Sequence, residues 1–201
     1  MVLDRTACRG RDLVDVLDAV IAGGCRMVQL REKVLPSGVL LPAAEQLRER
    51  CRAAGVTFIV NDRVDLALAV EADGVHLGQD DLPPRAARPL LRRGMILGRS
   101  THSVAQARAA QGDGADYVAV GSMFPTVTKP DSQLVGPELI RALRPEIRVP
   151  LVGIGGITAD NVAEVIRAGA DGVAVISAVC GADDPTAAAR RFIDAIRGAR
   201  A

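Results

Sequence analysis

The chain has 201 residues, enough for one sizeable hydrophobic core and within the range of an α/β barrel built as a single domain. Its 25 Lys and Arg balance 24 Asp and Glu, and one Tyr, three Phe and no Trp give no platform for stacked bases, which argues against a nucleic-acid partner. No apolar run approaches the roughly 20 residues of a membrane span, MVLDRTACRGRDL carries charge where a secretory leader is apolar, and Cys8, Cys25, Cys51 and Cys180 lack C-x-x-C spacing, so a soluble protein of the reducing cytoplasm is expected.

In chain order, MVLD reads as the stub of a first strand, followed by the helical pattern DLVDVLDAVIAGG (12–24) and a second strand, MVQL (27–30). The loop VLPSG then leads into the helix LLPAAEQLRERCRAAG (40–55) and the strand FIVN (58–61). RVDLALAVEAD (63–73) precedes the strand GVHL (74–77), and a helix beginning at the prolines of DDLPP precedes MILG (95–98). SVAQARAAQGDGAD (103–116) leads to the strand YVAV (117–120), and PELIRALRP (137–145) to LVGI (151–154). TADNVAEVIRAGAD (158–171), the strand VAVI (173–176) and a last helix, PTAAARRFIDAIRGAR (185–200), complete the series. Helices with apolar residues at helical spacing alternate with strands apolar on both faces, the pattern of a parallel sheet covered by helices.

Seven clear strands and the stub make eight, and eight close into a (β/α)8 TIM barrel with a truncated first strand. A doubly wound sheet would carry its glycine-rich turn after the first strand, whereas GIGGI follows a late one. AGGCRMVQL, EADGVHLG, GDGADYVAVG and RAGADGVAVIS resemble one another; we read them as recurring helix C-caps, with Gly or Asp taking the turn into the next strand.

A barrel places its chemistry at the C-terminal ends of the strands. Strand two ends in Gln29, Arg31 and Lys33, which are a solvated charged loop unless their neighbours also bind anions. Strand three ends in Asn61 and Asp62, and strand four in HLGQDD; Asp62, Asp80 and Asp81 each suit a helix N-cap. Taken as a pair, Asp62 and Asp81 are also the sparse oxygen ligation that Mg2+ uses when phosphate and water complete its shell. With Arg31, Lys33 and Lys129 at the same rim, such a site would suit a diphosphate. Strand five offers Ser100, Thr101 and His102 in helix-entry or hydrogen-bonding roles, and His76 reads as a satisfied residue inside the barrel. GSMFPTVTKPD sets Thr126, Thr128 and Lys129 between prolines just after a buried strand, hydroxyls beside an ammonium that point to an anion. The glycines after strand seven and the VISAV turn after strand eight stand where phosphate-binding barrels build their cup, although a tight turn alone would also require them.

QLREK, VND, HLGQDD, GRSTH, GSMFPTVTK, VGIGGI and VISA, in this order, resemble the thiamin phosphate synthase family over nearly the whole chain. The resemblance implies a Mg2+-dependent transferase. It would join 4-amino-2-methyl-5-(diphosphooxymethyl)pyrimidine to 4-methyl-5-(2-phosphoethyl)thiazole, giving thiamin monophosphate and diphosphate through a pyrimidine cation. It further implies that Gln29, Leu30, Arg31, Glu32, Lys33, Asn61, Ser100 and Lys129 hold the pyrimidine diphosphate, with Lys129, Arg31 and Lys33 stabilising the leaving group. Asp62 and Asp81 match the metal ligands. Thr126, Val127, Thr128, Gly156, Ile176 and Ser177 match the thiazole phosphate site.

The rivals are a thiazole tautomerase, to which the diphosphate ligands would be superfluous, a phosphosugar isomerase, for which no acid and base pair stands at the rim, and a barrel that only binds a phosphorylated ligand. The pattern departs from the family at its start, where relatives carry a full first strand ending in Asp-Arg. Either the start lies upstream or the barrel has a gap, which would expose neighbouring strand edges and leaves a homo-oligomer open.

Overall fold

The computed structural model describes residues 1–126 and 133–201. Eight strands form one parallel sheet in sequence order: β1 (Val2–Asp4), β2 (Met27–Arg31), β3 (Thr57–Asn61), β4 (Gly74–Leu77), β5 (Ile96–Thr101), β6 (Tyr117–Gly121), β7 (Leu151–Ile154) and β8 (Gly172–Ala174). Helices alternate with them: α1 (Leu13–Ala22), α2 (Ser37–Ala53), α3 (Val64–Ala69), α4 (Pro84–Ala87), α5 (Val104–Gly112), α6 (Gly136–Leu143), α7 (Val162–Arg167), α8 (Ser177–Cys180) and α9 (Pro185–Arg200). This is the expected eight-stranded, near-closed TIM-type barrel. No helix among the described residues is long and apolar enough to cross a membrane.

The first strand is short but fills its place. Val2, Leu3 and Asp4 are buried and pair with Gln29, Leu30 and Arg31 of β2. On the other side, the Val2 N–H donates to the Val175 carbonyl just past β8 (2.9 Å), which ties the two ends of the sheet together. The anticipated gap is therefore spanned by a strand of three residues.

Strand residues alternate between two cores. Val28, Leu30, Phe58, Val60, Val75, Leu77, Leu97, Val118 and Val120 join the apolar layer between sheet and helices. Inside the barrel, glycine makes room for a large side chain at one place in particular. A Cβ on Gly98 of β5 would lie 2.2 Å from Cζ of Tyr117, the aromatic ring that β6 sends across the interior. Gly98→Ala should therefore overpack the core by about 3 kcal/mol and lower Tm by roughly 10 °C, measurable by thermal denaturation.

In the similar phrases before the even strands the glycines take the expected turn after the helix, while the aspartates serve another purpose. Asp73, Asp116 and Asp171 do not cap helices. Each precedes an even strand and accepts from the first residues of the odd strand before it: Phe58 N–H (2.7 Å), Leu97 N–H (2.7 Å) and Leu151 N–H (2.8 Å). Each also pairs with an arginine on the helical layer, Arg48, Arg88 and Arg144 respectively. The same Arg–Asp staple thus recurs around the N-terminal end of the barrel. The turn two residues earlier is taken by Gly114 and Gly169 at φ of 90° and 107°, and by Glu71 at 52°.

Candidate active site

Two crossed ion pairs link the ends of β1 and β2. Asp4 accepts from Arg31, and Arg5 donates to Glu32 (3.0 Å). Burial alone would raise the Glu32 carboxyl, but the Val34 and Leu35 N–H groups and Arg5 outweigh it and hold its pKa below the ordinary range. Glu32 is thereby a clamp that shapes the start of the β2–α2 loop, while Arg31 stays half-buried at the rim. Leu30 belongs to the outer core, so its backbone alone is available to a ligand. The α2 helix begins at Ser37, earlier than its apolar pattern indicates, because Pro36 supplies the extended residue that opens it and Pro42 is accommodated within it.

The end of β3 brings the metal candidates together. Asp62 has a left-handed backbone (φ 63°), a conformation that Asp and Asn tolerate better than other residues with a Cβ. Its N–H donates to the His76 carbonyl (2.8 Å), which turns the side chain out at the mouth. There the carboxylate accepts from Lys33 and lies within hydrogen-bonding reach of Asp81. Asp81 accepts from the Gly78 N–H (2.7 Å). Burial, and then the Asp62 carboxyl beside it, raise the Asp81 pKa, with the Gly78 amide and Lys33 opposing. The N-cap alternative fails for both residues: α3 and α4 start without a side-chain cap.

A hydrogen-bonded network crosses the interior beneath this pair. Neutral His76 on β4 bonds Tyr117 Oη through Nδ1 and Ser100 Oγ through Nε2, both at 2.8 Å. Gln29 on β2 lies beside the Tyr117 hydroxyl and favours its ionised form, against the larger effect of burial, which raises the Tyr117 pKa. His76 is the satisfied barrel residue expected, and Ser100 faces the interior with its hydroxyl oriented. Asn61, at the end of β3, is buried beside His76 in register. His102 lies outside this network, bonding the Gly121 carbonyl.

Burial lowers the His76 pKa from 6.5 to about 4. Between those values the unfolded chain binds the extra proton, so stability should fall as pH drops from about 6.5 to about 4, by on the order of 3 kcal/mol. Comparing Tm across that range in wild type and His76→Gln checks this; the variant should show a shallower decline.

The loops after β6 and β7 meet on the other side. Met123 and Phe124 N–H groups donate to the Ile154 and Gly155 carbonyls (2.9 and 3.0 Å). Gly155 and Gly156 both have positive φ (97° and 65°). A Cβ on Gly155 would lie 2.0 Å from Ser122 Oγ, and one on Gly156 2.4 Å from the Pro125 carbonyl oxygen. The tight turn that would by itself require these glycines is present, and what approaches them closely is the loop that carries Thr126. Ile176 precedes the first turn of α8, which Ser177 opens. Val127, Thr128 and Lys129 lie outside the described residues. Two clefts of about 460 and 270 Å3, the first along Thr57, Asp73 and Ile96 and the second along Gly23, Arg26 and Arg190, touch none of the candidates.

Comparison with known proteins converges on one family. A family model described as thiamine monophosphate synthase matches residues 1–179. The chain belongs to the thiamine monophosphate synthase family. It is 53% identical over 192 residues to the thiamine-phosphate synthase of Moorella thermoacetica, covering 95% of this chain and 91% of that one. With the thiamine-phosphate synthase of Haloquadratum walsbyi it shares 50% identity over 192 residues, 94% of this chain and 85% of the other. Among solved structures, a thiamine phosphate pyrophosphorylase from Pyrococcus furiosus superposes with a TM-score of 0.91 at 36% identity, covering 100% of this chain and 96% of that one. Membership of the thiamine monophosphate synthase family supports a transferase of thiamine biosynthesis acting as a thiamine-phosphate synthase.

Asp4, Tyr117 and Gln79 are the site neighbours that the sequence did not single out. A carboxylate at the end of the first strand was the available signal for Asp4. Tyr117 gave none, because its hydroxyl meets His76 across the barrel.

Proposed function

We propose that the protein joins 4-amino-2-methyl-5-(diphosphooxymethyl)pyrimidine to 4-methyl-5-(2-phosphoethyl)thiazole and releases diphosphate. The observation that carries this reading is the meeting of Asp62 and Asp81 at the rim, with Lys33 on one of them and Arg31 at the end of the adjacent strand. An all-oxygen pair without His or Cys suits a hard cation such as Mg2+. Among the described residues no group of three or more His, Cys, Asp and Glu assembles, so such an ion would take further ligands from phosphate and water. Asp62 and Asp81 would hold it, and the bound ion would supply positive charge to the leaving diphosphate.

In this reading Gln29, Asn61 and Ser100 hold the pyrimidine, and Arg31, Lys33 and Lys129 hold its diphosphate. Lys33 Nζ is half exposed and can turn from Asp62 to a phosphate oxygen. The C–O bond breaks with its electron pair leaving on diphosphate, and the methylene cation is stabilised by the ring amino group. The thiazole nitrogen then donates its pair to form the C–N bond. Thr126, Val127, Thr128, Gly156, Ile176 and Ser177 hold the thiazole phosphate so that this nitrogen faces the cation. Positioning and charge are the whole task, and no protein nucleophile is required.

Purified protein given both substrates, with Mg2+ or with excess chelator, should form thiamin monophosphate and diphosphate in equal amounts, and chelator should abolish both. Folded protein that binds the thiazole phosphate without forming product would overturn the reading in favour of a tautomerase or a binding barrel.

A further inference from the structure

Arg99 has no role in the site described above, and its environment is unusual for a charged residue. It stands on the outer face of β5 between Leu97 and Thr101, at a position that faces the helical layer and where an aliphatic side chain would be ordinary. It is 6% exposed, yet among the described residues it pairs with no carboxylate at ion-pair distance. A buried guanidinium without a carboxylate is costly unless its N–H groups are used. Burial lowers its pKa, opposed by the more distant charges of Asp81, Asp113 and Asp80.

The N–H groups are used on one turn. Arg99 Nη1 donates to the Leu82 carbonyl (2.9 Å) and Nη2 to the Gln79 carbonyl (3.4 Å), so a single planar fork grips the backbone on both sides of Asp80 and Asp81. The same turn has a second tie to the next strand residue, from Gln79 Nε2 to the Ser100 carbonyl (2.6 Å). Within the turn the Asp81 N–H donates to the Gly78 carbonyl (3.2 Å), and the Asp81 carboxylate accepts from the Gly78 N–H. Gly78 permits that closeness, since a Cβ there would lie 3.1 Å from Asp81 Oδ2. The carboxylate is fixed to the turn, and the turn is fixed to β5.

We propose that Arg99 is a positioning residue for Asp81: from outside the barrel it holds the 79–82 turn so that the Asp81 carboxylate meets Asp62 at the mouth. Its contribution is to the affinity for the divalent cation rather than to contact with substrate. The inference rests on the reading of Asp62 and Asp81 as Mg2+ ligands, and the test separates the two.

The experiment is calorimetric binding of inorganic diphosphate to the whole chain across a series of Mg2+ concentrations, with Tm measured for each protein. Arg99→Met should raise the Mg2+ concentration for half-maximal diphosphate binding by roughly tenfold or more, the scale of losing an outer partner of a metal ligand. Diphosphate affinity at saturating Mg2+ should stay within about threefold of wild type, which a general loosening of the barrel would not produce. Asp62→Asn should remove most of the Mg2+ dependence. If Arg99→Met does not melt cooperatively, Arg99→Lys takes its place. Lysine keeps the charge but cannot grip both carbonyls, so an increase of about threefold or more is expected. A folded Arg99 variant within about twofold of wild type, alongside an Asp62→Asn that has lost the dependence, would overturn the role of Arg99. An Asp62→Asn that keeps the full dependence would overturn the metal reading itself, and the proposal with it.

Discussion

Asp62→Asn should lower kcat by about 100-fold or more at saturating Mg2+ and both substrates, the scale of losing one preorganised charge partner. Asparagine is the informative replacement because it keeps the size of the side chain and tolerates the left-handed backbone at φ 63°. Alanine would add backbone strain to the loss of charge. Stability should not follow activity. The Asp62 carboxyl raises the pKa of Asp81, a sign of unfavourable proximity, and its pair with half-exposed Lys33 contributes little. Removing the charge should leave Tm at or above wild type. Activity within about threefold of wild type in the product assay would remove Asp62 from the leaving-group site. A fall in Tm parallel to the loss of rate would mean that its role is structural.

The parts of the fold that the sequence revealed are those set by local chemistry. Strands such as FIVN, GVHL and LVGI are apolar on both faces because a barrel wall has an inside core and an outside core, and GVHL and LVGI match β4 and β7 at both ends. Boundaries drifted where tertiary pairing extends an element: β5 continues to Thr101 because Ser100 and Thr101 pair with Ala119 and Val120. The helix α8 left no periodic trace, since four residues cannot show a period. Motif recognition located the rim residues, but their orientation comes from contacts distant in sequence. Ser100 is aimed by His76, 24 positions earlier, and Arg31 by Asp4, 27 positions earlier. The stub MVLDR thus does more than fill a slot in the sheet. Its Asp4 and Arg5 hold Arg31 and Glu32, and so couple closure of the barrel to the loop proposed to hold diphosphate.

Lys129→Ala should likewise lower kcat by about 100-fold or more while changing KM for the thiazole phosphate by less than about threefold. The Ser122 N–H donates to the Gln133 carbonyl (3.0 Å), and the Val135 N–H donates back to the Ser122 carbonyl (2.9 Å). Ser122, Gln133 and Val135 therefore meet at one point on top of β6, beside the Gly155 and Gly156 turn. In the sequence TVTK the threonines precede the lysine, so in the proposed reading hydroxyls for the thiazole phosphate and an ammonium for the diphosphate would come from one short stretch. A charge that acts on the departing diphosphate contributes most as the C–O bond breaks, which is why the loss should appear in kcat. Thr126→Ala should show the opposite split, raising KM for the thiazole phosphate by several-fold with a smaller change in kcat. Should Lys129→Ala instead raise that KM and spare kcat, the lysine serves the thiazole phosphate. Arg31 and Lys33 would then be the residues that neutralise the leaving group.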